Sequence, residues 1–271
     1  MHSLSSPALA VFPCRNNQLP HLAHAIARLS SVILLLVIAA AAACLLLSKP
    51  LPDGESGAAA DAVAHAIEAS IGRTAWEQTG AVRWTFGGRN KHLWDRKRML
   101  ASVSWGENEV LINLTTQQGV ARKKGVVQTG AARDKLLKKA YASWVNDSFW
   151  LNPLVKLFDD GVTRKKIAQP DGTSGLLITY GGGGLTPGDS YLWLVGPEGR
   201  PRAWRMWVSI IPLKGIESSW EGWTQLGTGA WVATEHKLAI VTLRLSDVAG
   251  AATLAELVPG ADPFAALSGG P

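Results

Sequence analysis

Three histidines, His65, His92 and His236, follow the first 50 residues, and none has another histidine or a cysteine at metal-ligand spacing. A composite site from His92, Asp95 and His236 would require the fold to gather distant segments, so no metal or other cofactor is expected. Asp159-Asp160-Gly161 and Asp171-Gly172 have turn chemistry, because aspartate bonds its own backbone and glycine accepts positive φ. Gly181 to Gly184 offers amides that could cradle a phosphate, but no Gly-Lys-Ser/Thr follows. Thr186-Pro187-Gly188-Asp189 makes a turn there, and the glycine run reads as a flexible lip. No Gly-x-Ser-x-Gly elbow is present. An enzyme would need Asp95, His92 or Asp189 in a cleft that strongly perturbs titration, and no spacing here identifies one.

The chemistry that remains is aromatic. All 12 tryptophans lie between Trp76 and Trp231. An indole brings a large apolar area and one N–H donor, so it must fill a core or line a cavity. The candidate cavity residues are Trp84, Trp105, Trp193, Trp204, Met206, Trp207, Trp220 and Trp223. Trp204 and Trp207 are three residues apart, so in a regular strand only one of them faces inward.

The elements that must position these rings are mostly strands. Ala101, Val103 and Trp105 alternate with serines, Gly106-Glu107-Asn108 turns, and Val110, Ile112 and Leu114 resume the alternation, which predicts an antiparallel hairpin. Further strands are predicted at 83–86, on either side of Asp95, and at 175–180, 190–195, 202–211, 216–226, 229–235 and 237–245. In 202–211, Trp204, Met206, Val208 and Ile210 share one face. Two helices are predicted, one from Ser56 to a stop at Gly72, the other from Ala131 to about Val145 with Leu136, Leu137, Ala140, Tyr141 and Trp144 as its stripe. A sheet this wide must curl. The expected fold is mainly β (α+β), a curled antiparallel sheet forming an incomplete barrel covered by two or three helices.

The N-terminal region is of another kind. Val32 to Leu47 is an unbroken apolar run, preceded by Arg15 and Arg28, so the positive-inside tendency places the following domain outside the cytoplasm. Export signal, retained anchor and lipid attachment at Cys44, behind Ala41-Ala42-Ala43, are the alternatives. The reading adopted is an anchor in the inner membrane of a bacterial envelope, bearing a periplasmic domain. The partition is then 1–48 anchor or signal, 49–56 linker, 57–250 ligand-binding half-barrel and 251–271 loose tail with a short helix. Cys14 and Cys44 are the only cysteines, so the domain has no disulfide. Between Arg83 and Lys166 there are 17 Lys/Arg against 7 Asp/Glu. That surplus favours anionic surfaces, while an extracytoplasmic location argues against nucleic acid.

Lys91-His92-Leu93-Trp94-Asp95-Arg96, Ser148-Phe149-Trp150-Leu151-Asn152-Pro153 and Leu185-Thr186-Pro187-Gly188-Asp189-Ser190-Tyr191-Leu192-Trp193 occur in this order. Pro201-Arg202-Ala203-Trp204-Arg205-Met206-Trp207 and Trp220-Glu221-Gly222-Trp223 follow. Together they resemble a branch of bacterial envelope proteins related to the outer-membrane lipoprotein carriers of the Lol type. The resemblance implies an incomplete β-barrel with a helical lid that holds acyl chains without covalent chemistry. A lid-latching arginine has no match here, and a retained anchor departs from soluble carriers of that type. The leading expectation is a monomeric, membrane-tethered carrier or receptor for a lipid or lipid-modified protein. The alternatives are a ligand-free interaction module of the envelope and, third, an enzyme.

Overall fold

The structure, a computed structural model, describes residues 30, 32–39, 42, 44, 46–182 and 186–267. The chain divides into two compact units, Met1–Leu47 and Ser48–Pro271. In the first, the described residues are helical, and Val32, Leu34, Leu36 and Ile38 are exposed. Cys44 is half-buried with a free thiol. No helix among the described residues is long and apolar enough to cross a membrane. Cys14, Arg15, Arg28, Ala41 and Ala43, on which the topology and lipidation readings rest, lie outside the described residues, as do Gly183 and Gly184 of the glycine lip.

The second unit is built on one antiparallel sheet of 13 strands, not closed into a barrel. Six successive hairpin strands form its first half: β1 (Ala81–Phe86), β2 (Asn90–Asp95), β3 (Leu100–Trp105), β4 (Asn108–Asn113), β5 (Gly119–Lys123) and β6 (Val126–Val127). The second half runs β7 (Val162–Ala168), β8 (Ser174–Tyr180), β9 (Ser190–Val195), β10 (Pro201–Trp207) and β11 (Ile216–Ser219). β12 (Thr224–Gln225) and β13 (Trp231–Val232) make a separate two-stranded sheet. β14 (Glu235–Leu238) returns beside β11, and the long β15 (Val241–Ala251) then pairs with both β14 and β1, joining the halves. The register of β1 on β15 shifts between Arg83 and Thr85, a local irregularity of the kind that bends a strand at such a seam.

Topology dictates what fills the concavity. β6 lies at one edge of the sheet and β7 at the other, so the segment between them must cross the whole width. That segment is a helix of 22 residues, Gly130–Leu151, followed by a 3-10 turn at Pro153–Lys156. The shorter helices are α1 (Ala58–Ser70) and α2 (Arg73–Gln78); the crossing helix is α3, and α4 (Leu254–Leu257) follows the last strand. Gly72 separates α1 from α2 in a left-handed conformation, φ 69°, as its position in the sequence predicts. Ala60, Ala64 and Ile67 of α1 are buried at helical spacing against the β7–β8 side.

The core accordingly falls into patches. Under α1 and the 3-10 turn lie Trp193, Trp204, Trp220, Met206, Leu176 and Ile178. Trp76, Trp84, Val82 and Leu151 form a second patch, and Leu137 and Ala140 of α3 pack on Ala101, Val103, Val110 and Ile112 in a third. Strand alternation places Leu177, Leu192 and Leu194 in a fourth patch, separate from that of their neighbours Leu176 and Trp193.

Three expectations are corrected. The stretch read as a linker, 49–56, is docked. Lys49 N–H donates to the Lys214 carbonyl at 3.0 Å, Trp207 Nε1–H to the Lys49 carbonyl at 2.8 Å, and Glu55 and Lys166 exchange backbone bonds at 3.0 and 2.7 Å. Gly54 sits so close to β7 that a Cβ there would lie 2.3 Å from the Lys166 carbonyl oxygen. The described part of the tail is held too, because Phe264 is fully buried on Leu100 and Leu111 and Arg98 forks onto Asp262 at 2.7 and 2.9 Å. Finally, 216–235 is not a pair of long strands, since only β11, β12 and β13 form there and irregular chain runs between them.

Candidate functional site

A cavity of about 1070 Å³ lies between the C-terminal half of α3 and the curled sheet. From Tyr141 to Asn152 the helix contributes about 16 Å of wall, at 1.5 Å per residue. Trp144, Phe149 and Trp150 of α3 face Tyr180 of β8, Tyr191 of β9, and Trp204 and Met206 of β10, and Val208 and Ile211 continue the apolar side. Trp76, Trp94, Arg73 and Arg96 line it as well. The rings touch in two groups. Trp94 meets Trp144 edge-on at 5.1 Å, Trp150 meets Trp204 at 4.9 Å, and Tyr191 lies 4.7 Å from Trp204.

The polar atoms of this wall are unusual. The indole N–H groups of Trp94, Trp144 and Trp204, the amide nitrogen of Asn152, Nε of Arg96 and the hydroxyl of Tyr180 are all buried without a hydrogen-bond partner. Five of these six are donors only. An unpaired buried donor costs about 1–3 kcal/mol. Burial holds the Tyr180 hydroxyl protonated, well above the ordinary phenol range, so it too donates at any physiological pH.

Of the residues singled out in the sequence, Trp204 and Met206 line the cavity. Trp193 and Trp220 are buried beside Trp204, at 4.8 and 5.0 Å, packed into the sheet rather than facing the space. Trp223 is half-buried against Trp220 at 6.3 Å. Trp84 is buried in the second patch, stacked on His92 at 4.5 Å. Trp105 packs beside α3 under Lys139, whose Nζ lies 4.9 Å from the ring. Trp207 is directed away from Trp204 and packs on the fourth patch, as alternation requires. The cavity-lining tryptophans that pattern reading did not nominate are Trp76, Trp94, Trp144 and Trp150. The usable signal was the helical spacing of Tyr141, Trp144 and Ser148, which continues past the predicted end of the helix.

His92, Asp95 and His236 take separate partners. His92 Nε2 lies 2.7 Å from Asp147 Oδ2, a buried pair in which β2 holds α3. Asn90 donates to the same oxygen at 2.8 Å and Asn146 to the other at 2.9 Å. Asp95 accepts from Arg98 Nε at 2.6 Å. Asp189 is buried, accepting from the Ser209 N–H at 2.8 Å and from the Thr186 hydroxyl. The bonds from Asn90 and His92 to Asp147 tie β2 to α3.

His236 packs between Trp220 at 4.3 Å and Trp150 at 5.2 Å, and its Nδ1 lies 3.3 Å from the Ser219 carbonyl oxygen. Desolvation pushes its pKa down to about 4, with the bond to Ser219 acting weakly the other way. Because the folded value is below the unfolded one, protons favour the unfolded chain. The neutral imidazole's contribution is therefore complete above about pH 6.5 and is lost as pH falls toward 4. A drop of on the order of 3 kcal/mol across that window is expected, measured by urea unfolding at stepped pH. His236→Phe should flatten the slope there; an unchanged slope would place its origin elsewhere.

No family model, curated protein or solved structure matches this chain.

Proposed function

We propose that the domain binds an amphiphile non-covalently, as a carrier or receptor for a lipid or a lipid-modified protein, tethered at a bacterial membrane by its N-terminal apolar segment. The observation that carries this reading is the open-sided aromatic cavity whose buried donors have no partner in the protein. Apolar rings supply the burial, with about 0.8 kcal/mol for each methylene removed from water. The donors select a ligand with oxygens over a plain hydrocarbon. This is the activity implied by the resemblance to carriers of the Lol type. The second reading, a ligand-free envelope interaction module, draws on Trp84, Trp193 and Trp220, which pack the curled sheet without reaching the cavity.

Brominated acyl chains distinguish the two, because bromine quenches indole fluorescence on contact. No tryptophan precedes Trp76, so the full-length chain can be used in amphipol and every signal comes from the domain. Saturable quenching by a brominated fatty acid, at one chain per protein, is the expected result. Quenching that rises only linearly with added chain would leave the interaction module.

A further inference from the structure

Arg96 differs from the arginines beside it. Arg73 is paired with Glu68 at 3.1 Å and Glu77 at 2.8 Å, and Arg98 with Asp95 and Asp262. Among the described residues Arg96 makes no ion pair. Its guanidinium lies over the rings of Trp76 and Trp94, at 4.4 and 5.4 Å, and its Nη1 donates to the carbonyls of Trp76 and Thr79. Its Nε is buried and unbonded. Desolvation, with Arg73 nearby, lowers its pKa to about 10, which leaves it cationic at neutral pH.

Arg96 lines the same cavity as Trp94, Trp144 and Asn152, whose indole N–H groups and amide nitrogen are buried in the wall without a partner, Asn152 being only 4% exposed. Three of the four acidic residues that line the cavity are already bonded. Glu77 is held by Arg73, Asp159 by Lys156, and Asp189 by Ser209 and Thr186. Asp159, Asp160 and Asp189 belong to the side formed by β7 to β9, whereas Arg96 follows β2, many strands away in the sheet order. The carboxylate on the Arg96 side, Glu77, is thus already engaged by Arg73, and the other acidic residues of the lining lie toward β7 to β9.

We infer that the Arg96 end of the cavity is a head-group site for an anionic amphiphile, a carboxylate or phosphate oxygen seated among Arg96, Asn152, Trp94 and Trp144 with its chain running toward Trp204. The inference rests on the ligand-cavity reading above and specifies its ligand class. A half-buried cation that makes no ion pair among the described residues, beside donors that have no partner, is completed by an anion rather than by a cation. The guanidinium is held against the rings of Trp76 and Trp94, and its planar fork matches a two-oxygen head better than a single point acceptor.

Three brominated chains of equal length test this in the full-length protein: a fatty carboxylate, a lysophosphatidate and a neutral fatty alcohol. Both anionic chains are expected to reach half-quenching at a concentration at least about tenfold lower than the alcohol, corresponding to one full charge-assisted interaction. Which of the two binds more tightly names the source, free fatty acid or phospholipid-type head. Arg96→Gln should raise the half-quenching concentrations of both anionic chains by about tenfold and shift the alcohol's by much less, closing the difference. Should that variant fail to fold, Asn152→Asp, nearly isosteric, replaces a bare donor with a carboxylate and should weaken the anionic chains selectively. Equal midpoints for all three chains would overturn the head-group site and leave the carrier reading standing; absence of saturable quenching by any chain would overturn the carrier reading itself.

Discussion

Replacement of Asp147 by alanine is expected to remove about 3–5 kcal/mol of unfolding free energy, the usual cost of breaking one side of a buried, hydrogen-bonded pair. The carboxylate is 2% exposed and satisfies Asn90 and His92 of β2 together with Asn146 of its own helix. Without it, the amide of Asn90 and Nε2 of His92 lose their hydrogen-bond partner inside the protein, and His92 Nδ1 already has no partner. The consequence extends beyond stability, because the pair fastens the C-terminal part of α3 to the sheet and that part is one wall of the cavity. Urea unfolding of Asp147→Ala, His92→Phe and the double variant would measure it. The double variant should cost less than the sum of the singles by about 1–3 kcal/mol. A single-variant loss below 1 kcal/mol would mean that water replaces the carboxylate and that α3 is not fastened there.

Trp204→Ala should be comparably severe, at about 3–5 kcal/mol, whereas Trp207→Ala, three residues along the same strand, should cost only about 1 kcal/mol. Trp204 is fully buried, with the rings of Phe149, Trp150, Tyr191, Trp193 and Trp220 at 4.7–5.8 Å, so truncation opens a hole among bulky groups that cannot all collapse into it. Trp207 is half-exposed on the other side of β10 and chiefly loses its bond to the Lys49 carbonyl. Thermal melts of the two variants read the contrast directly. Equal losses would mean that the strand does not keep its alternation through Met206.

That contrast was visible in the sequence, because Trp204-Arg205-Met206-Trp207 admits only one inward tryptophan and strand period two does the rest. The hairpin of β3 and β4 was equally legible from its alternation about Gly106. The span of α3 was not. Asn146-Asp147-Ser148 is a poor helical triplet by local propensity, and the helix continues through it because Asp147 is held by Asn90 and His92, partners more than 50 residues away. Loss of that last stretch hid Phe149 and Trp150, and with them the wall of the cavity. β7 escaped as well: Val162–Ala168 carries Arg164, Lys165 and Lys166 in succession, and its pairing rests on the backbone ladder to β8 and on the bridge to Glu55 rather than on an apolar period. A tryptophan count announces that aromatic surface must be housed. Whether a ring ends in a packed patch or beside a space depends on what the crossing helix covers, and no spacing encodes that.

The docking of 48–56 bears on motion. A polar, proline-containing stretch of this length would ordinarily act as a leash, with the body at its end reorienting independently of its point of attachment. Here Ser48 and Lys49 are bonded to Lys214, Asp53 is paired with Lys165, and Glu55 lies as an added rung on β7. The swivel is therefore absent from this stretch, and residue 48 tumbles with the sheet. Any hinge between the sheet and the chain that precedes it must fall upstream of Ser48.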